Sequence, residues 1–166
     1  LRRGIALLKS GLPEHPDHAR GHYFLGLAYT HRERLPQAAH QFQKVIALSP
    51  EHGLAHFQLG RTLQTMNRSQ EAIRTYRTPL RIFPENPKAH NNLGNIYSSQ
   101  GDLDQAQAAY EQAIFWQSDY ALAYNNLGDL LAYKKRDLKS AAQQFGNALQ
   151  YQPDFPAALF NLGNIR

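Results

Sequence analysis

The dipeptide Leu-Gly stands at Leu25-Gly26, Leu59-Gly60, Leu93-Gly94, Leu127-Gly128 and Leu162-Gly163, so successive glycines are 34, 34, 34 and 35 residues apart. A chain that repeats itself at such a period folds as a row of equivalent supersecondary units, none of which buries its apolar face alone. The rest of the unit keeps step. Ala38-x3-Phe42, Ala72-x3-Tyr76, Ala106-x3-Tyr110 and Ala141-x3-Phe145 follow each glycine, and Pro50, Pro84 and Pro153 close three of the four complete units. Ser118 takes that place in the third.

Apolar residues recur at helical spacing, as in Leu93, Ile96 and Tyr97 or in Phe42, Val45 and Ile46, which marks amphipathic helices with one buried face. No segment signals a strand. Gly26, Gly60, Gly94 and Gly128 fall inside helices although glycine there costs about 1 kcal/mol against alanine, which predicts a close backbone contact at each. Turns are written in Met66-Asn67 and Gly101-Asp102, and the closing prolines end the second helix of each unit, so antiparallel helix pairs follow. Two places break the pattern. Pro79 stands where the other units have Val45, Ala113 and Ala148, which predicts a kink or an early end near Thr78. The extra residue of the fourth unit lies between Ala132 and Ser140 and predicts a bulged loop there.

The first helices read His22-x2-Leu25-Gly26-x2-Tyr29, His56-x2-Leu59-Gly60-x2-Leu63, His90-x2-Leu93-Gly94-x2-Tyr97 and Tyr124-x2-Leu127-Gly128-x2-Leu131. This order, at this period, resembles the tetratricopeptide repeat over essentially the whole chain. The departures are histidine for the usual first aromatic in three units and leucine for tyrosine in two. The resemblance implies an all-α fold, a right-handed α-solenoid of antiparallel helix pairs. A single repeat domain is expected over 1–166, with full repeats at 19–52, 53–86, 87–120 and 121–155. Residues 1–18 then read as the second helix of a partial repeat, carrying Gly4, Leu8, Gly11, Leu12 and Pro16, and residues 156–166 as the first helix of another. A longer array is expected. Leu159, Leu162 and Ile165 should expose an apolar stripe, and head-to-tail self-association through the terminal helices is an expectation that follows from it.

In such a solenoid the first helix of each pair lines a concave groove, and the resemblance assigns the side chains that face it. The first two repeats present Tyr23, Phe24, Leu27, Phe57, Gln58 and Arg61, an aromatic and basic half. The later ones present Asn92, Asn95, Asn126, Asp129, Asn161 and Asn164, an amide-rich half, flanked by Ser98, Ser99 and Tyr133. Asn92, Asn126 and Asn161 occupy one position in three successive repeats and form a ladder. An asparagine offers one acceptor and two donors, which matches the C=O and N–H of an extended peptide. The same asparagines fit an alternative role as inter-helix hydrogen bonds of the repeat. The Asn-Leu-Gly-Asn helices are similar to those of the O-linked N-acetylglucosamine transferase superhelix, whereas the carboxylate clamp of chaperone-adaptor repeats finds almost no match.

The function expected is therefore a non-catalytic protein–protein interaction scaffold that binds an extended peptide, with a protein or peptide partner and no cofactor. The alternatives are a substrate-recruiting arm of a larger transferase and a basic-surface nucleic-acid binder. Charge bears on the last. Residues 1–86 carry 12 Lys/Arg against 6 Asp/Glu, whereas residues 87–166 carry 6 against 7. Arg68, Arg74, Arg77 and Arg81 crowd one stretch, and Lys134, Lys135, Arg136 and Lys139 another, yet no run of five like charges occurs, and nucleic acid is the less favoured partner. No apolar run approaches the roughly 20 residues that cross a bilayer, so no membrane role is expected. Cysteine is absent, which removes disulfides and thiol nucleophiles and leaves the compartment open, the cytoplasm being favoured. Phosphate-loop, nucleophile-elbow and zinc-protease motifs are missing, and Asp102 with Asp104 reads as a turn and helix start. His22, His56 and His90 recur once per repeat, and helices about 8–10 Å apart do not bring such ligands onto one ion, so these histidines read as structural and no metal site is expected.

Overall fold

The computed structural model describes Ala6, Ser10, Gly11 and residues 17–81, 83–134 and 136–165. Gly4, Leu8, Leu12, Pro16 and Lys135 lie outside the described residues, and with them most of the partial repeat expected at the start. The chain forms two compact units, Leu1–Ile82 and Phe83–Arg166. The N-terminal unit contains α1 (Ala19–Thr30), α2 (Leu35–Leu48), α3 (Gly53–Thr65) and α4 (Ser69–Leu80). The C-terminal unit contains α5 (Pro87–Gln100), α6 (Leu103–Trp116), α7 (Ala121–Asp129) running into a π-helical turn (Leu130–Lys134), α8 (Leu138–Tyr151) and α9 (Pro156–Asn164). Among the described residues there is no strand. Each first helix packs on the second that follows it, and within each unit that second helix packs on the next first helix, which is the helical solenoid of the repeat.

The helices begin where the chain supplies caps. Pro87 opens α5 after Asn86, whose Oδ1 accepts the Ala89 N–H at 3.1 Å, and Asp137 caps α8 by accepting from the Ser140 N–H at 3.1 Å. Inside each pair the ring sixteen or seventeen residues on lies directly under the helix glycine. A Cβ built on Gly94 would stand 2.5 Å from Tyr110 Cε1, and one on Gly128 2.5 Å from Phe145 Cε1. The same holds for Gly26 over Phe42 and Gly60 over Tyr76. These rings are buried at the centre of each pair, with Ala38, Ala72, Ala106 and Ala141 buried one turn before them on the same second helix.

The turn within each pair is one device used four times. Arg34, Arg68 and Asp102 donate their N–H to the carbonyls of Tyr29, Leu63 and Tyr97, each five residues back, and the residue before the donor is left-handed. That residue is Glu33, Asn67 and Gly101 in turn. In the fourth pair Asp137 donates to Leu131 O, six residues back, at 2.8 Å, with Arg136 left-handed. The added residue is thus accommodated by widening the end of the first helix into the π-turn Leu130–Lys134, rather than by a bulged loop alone. Glu33 carries a side chain where glycine or asparagine is at ease, at a cost of about 1–2 kcal/mol. Glu33→Gly is therefore expected to stabilise the protein by about 0.5–1 kcal/mol after the added freedom of the unfolded chain is subtracted. A urea-unfolding midpoint at or below that of the parent would contradict it.

At Pro79 the helix ends early. α4 stops at Leu80 after 12 residues, while α2, α6 and α8 each run 14. The proline has no N–H to give the Thr75 carbonyl, and the Thr75 and Thr78 hydroxyls donate to the Glu71 and Arg74 carbonyls at 2.8 and 3.0 Å.

Candidate functional site

In the C-terminal unit the first helices α5, α7 and α9 are tied by side-chain amides. Asn126 Nδ2 donates to Asn91 Oδ1 at 2.9 Å and to Asn95 Oδ1 at 3.2 Å. One repeat later Asn161 Nδ2 donates to Asn125 Oδ1 at 3.3 Å and to Asp129 Oδ1 at 2.7 Å. The equivalent residues make equivalent bonds, and Asn91 and Asn125 are buried by them. The ladder read from the sequence thus first serves the register of neighbouring repeats.

Its far ends face a pocket of about 470 Å³. Asn95, Asn126, Asp129 and Asn161 line it with Ser98, Ser99 and Tyr110, and the π-turn adds Leu130, Tyr133 and Lys134. Tyr110 donates its hydroxyl to Asn95 Oδ1 at 2.8 Å, and burial pushes its ionisation well above the ordinary tyrosine range. Asp129 is raised from the usual carboxylate value by burial, against the lowering effect of the Asn125 amide, which donates to Oδ2 at 3.3 Å. No buried side-chain nitrogen or oxygen lacks a partner among the described residues. Asn95 Nδ2 and Asn126 Oδ1, which make no bond among the described residues, therefore reach solvent, and both residues line this pocket.

The structure brings together four of the residues assigned to the groove, Asn95, Asn126, Asp129 and Asn161, and does not place Asn92 or Asn164 in that pocket. Asn92 is half-buried on α5 and Asn164 is exposed at the end of α9. Ser98, Ser99 and Tyr133 were legible as groove positions. Tyr110 was legible only as a core ring, because its hydroxyl reaches past the glycine it supports. Lys134 was legible only as charge, because the π-turn that carries it to the pocket depends on where the helix absorbs one residue.

In the N-terminal unit Tyr23 and Phe57 are half-buried against second-helix rings. Tyr23 lies 5.9 Å from Phe42 and 5.3 Å from His52, and Phe57 lies 6.1 Å from Tyr76, centroid to centroid. Phe24 is half exposed beside Tyr23, Leu27 and Gln58 are half-buried, and the Arg61 guanidinium stands 5.9 Å over the Phe57 ring. Leu159 on α9 is exposed, while Leu162 and Ile165 are half-buried.

The recurrent histidines serve the repeat. The Nε2–H of His56 donates to Pro50 O and that of His90 to Pro84 O, both at 2.8 Å and both six residues back. His22 is bonded through Nδ1 to Gln41 Oε1 at 2.7 Å. Burial holds His90 below the usual histidine value, partly opposed by that carbonyl. Where Ser118 replaces the closing proline, Tyr124 replaces the histidine and stacks on Tyr151 at 5.7 Å instead. Among the described residues no helix is long and apolar enough to cross a membrane.

Solved structures share this architecture. One is MamA, 24% identical with a TM-score of 0.84 over 90% of this chain and 86% of its own. Another is YrrB, described as a protein of this repeat class with an unusual peptide-binding site, 23% identical with a TM-score of 0.80 over 96% of this chain and 81% of that one. A third is the thermophilic TTC0263 of Thermus thermophilus, 19% identical with a TM-score of 0.77 over 97% and 88%. At these identities the likeness shows the fold. No match is found among curated proteins. Sequence models of the tetratricopeptide repeat match residues 1–53 with 130–166, 54–86 and 87–114. Those segments span every described helix except α7 and the last turn of α6, and the chain belongs to the tetratricopeptide repeat family.

Proposed function

We propose that the chain is a non-catalytic protein-interaction scaffold whose first helices hold an extended peptide. The observation that supports this reading is the pair of unengaged amide ends in the C-terminal unit. Asn95 has its oxygen engaged by Asn126 and Tyr110 and keeps its N–H groups, while Asn126 has its N–H groups engaged and keeps its oxygen. A donor and an acceptor held by a rigid lattice are the complement of a peptide unit, and little side-chain entropy is lost when they bind it. YrrB, a protein of the same fold described as having an unusual peptide-binding site, is in keeping with this. In the N-terminal unit, Tyr23, Phe24, Leu27, Phe57, Gln58 and Arg61 would supply aromatic and cationic contacts to the same kind of ligand.

Selection of phage-displayed random dodecapeptides on the purified protein tests the reading. Enriched peptides are expected to shift the side-chain amide resonances of Asn95, Asn126 and Asn161 in nitrogen-15 spectra. Failure to enrich any peptide, or binding that leaves those resonances in place, would overturn it. The likeness of the Asn-Leu-Gly-Asn helices to the O-linked N-acetylglucosamine transferase superhelix supports a variant in which the repeats recruit substrates for a fused transferase. A transferase domain on the same polypeptide is what that variant requires. Exposed Arg74, Arg77 and Arg81, at i, i+3 and i+7 on α4 and its C-terminal cap, favour nucleic acid as a second reading. Affinity for RNA that falls steeply with salt would support it, and a flat response would remove it.

A further inference from the structure

We propose that the pocket of the C-terminal unit selects a lysine or arginine side chain of the bound peptide, with Asp129 as its counter-ion. This rests on the peptide-binding reading and states what the peptide must carry. Asn95 and Asp129 are equivalent positions, and each accepts from the ladder asparagine of the next repeat, Asn126 at 3.2 Å and Asn161 at 2.7 Å. A neutral amide oxygen performs this task on α5, so the negative charge on α7 is surplus to helix register.

The Asp129 charge also has no cationic partner among the described residues. Asn161 donates to Oδ1 and Asn125 to Oδ2, bonds that orient the carboxylate and leave its net charge in place. No lysine, arginine or histidine nitrogen forms an ion pair with it among the described residues. A half-buried carboxylate without a cation is poorly solvated, and a ligand cation that reaches it regains what burial removed. Among the described residues that line the pocket Lys134 is the other charged one, and it is exposed on the π-turn, where water and salt screen it more than they screen Asp129. The remaining polar groups are neutral, and Tyr110 and Tyr133 contribute rings of the kind that favour cations. About 470 Å³ accommodates a long side chain together with the backbone that carries it. The field of the sequence agrees, since residues 87–166 carry 6 basic against 7 acidic groups while the excess of positive charge lies before them.

The test is the dodecapeptide selection run in parallel on the parent protein and on Asp129→Asn, which keeps the acceptor that Asn95 shows to be sufficient. Peptides enriched on the parent are expected to share a lysine or arginine at one position. Replacing it with norleucine should weaken binding about tenfold or more by fluorescence anisotropy, and Asp129→Asn should lose the same factor. Thermal unfolding of Asp129→Asn should stay cooperative and close to the parent, lowered only by loss of the 3.3 Å bond from Asn125, while the bond from Asn161 is kept. Enriched peptides with no basic preference, or a preference that Asp129→Asn retains, would overturn the counter-ion and leave the peptide groove standing. No enrichment on either protein would overturn both.

Discussion

Gly94→Ala is expected to destabilise the protein by about 2 kcal/mol, although alanine is the better helix former by about 1 kcal/mol. The new methyl would stand 2.5 Å from Tyr110 Cε1 and 2.6 Å from Cδ1, well inside contact distance. Tyr110 cannot step aside cheaply, because it is buried and its hydroxyl is fixed to Asn95. The helices must part instead, and close-packed interiors resist that. Gly146→Ala supplies the opposite sign. Gly146 lies in the exposed face of α8 with no atom within 4 Å of its built Cβ, so alanine there should add about 0.5–1 kcal/mol. Urea unfolding followed by circular dichroism measures both. If Gly94→Ala is as stable as the parent, the glycine-on-ring contact is not what holds each pair together.

Asn126→Ala should cost about 2 kcal/mol as well, for an electrostatic reason. Asn91 is 1% exposed, and its Oδ1 has the Asn126 amide as its donor. Truncating Asn126 leaves that oxygen buried and unpaired, at about 1–3 kcal/mol, whereas removing an exposed amide costs little. Asn164→Ala, at an exposed position, is the control and should be near neutral. The sequence alone invites the expectation that alanines at Asn92, Asn126 and Asn161 would weaken peptide binding and leave the solenoid intact. The structure revises it, because Asn126 and Asn161 join successive first helices before they meet any ligand. Equal unfolding midpoints for Asn126→Ala and Asn164→Ala would return the ladder to a purely ligand-binding role.

The period, the helix pairs, the buried face of each helix and a close approach at Gly94 or Gly128 were determined by the sequence, because each is a local rule repeated four times, although what approaches is a ring of the second helix and not its backbone. Apolar spacing selects a helix, a turn residue ends it, and a glycine marks where a neighbour passes close. The site followed other physics. Whether an asparagine presents its N–H or its oxygen depends on which neighbour claims the other end, and that neighbour is a repeat away at Asn91, Asn95, Asn125 or Asp129. Whether Lys134 reaches the pocket depends on one added residue, which the backbone absorbs by widening a helix. Hydrogen-bond direction and helix register are decided between repeats, where spacing along the chain carries no information, and only the packed structure decided them.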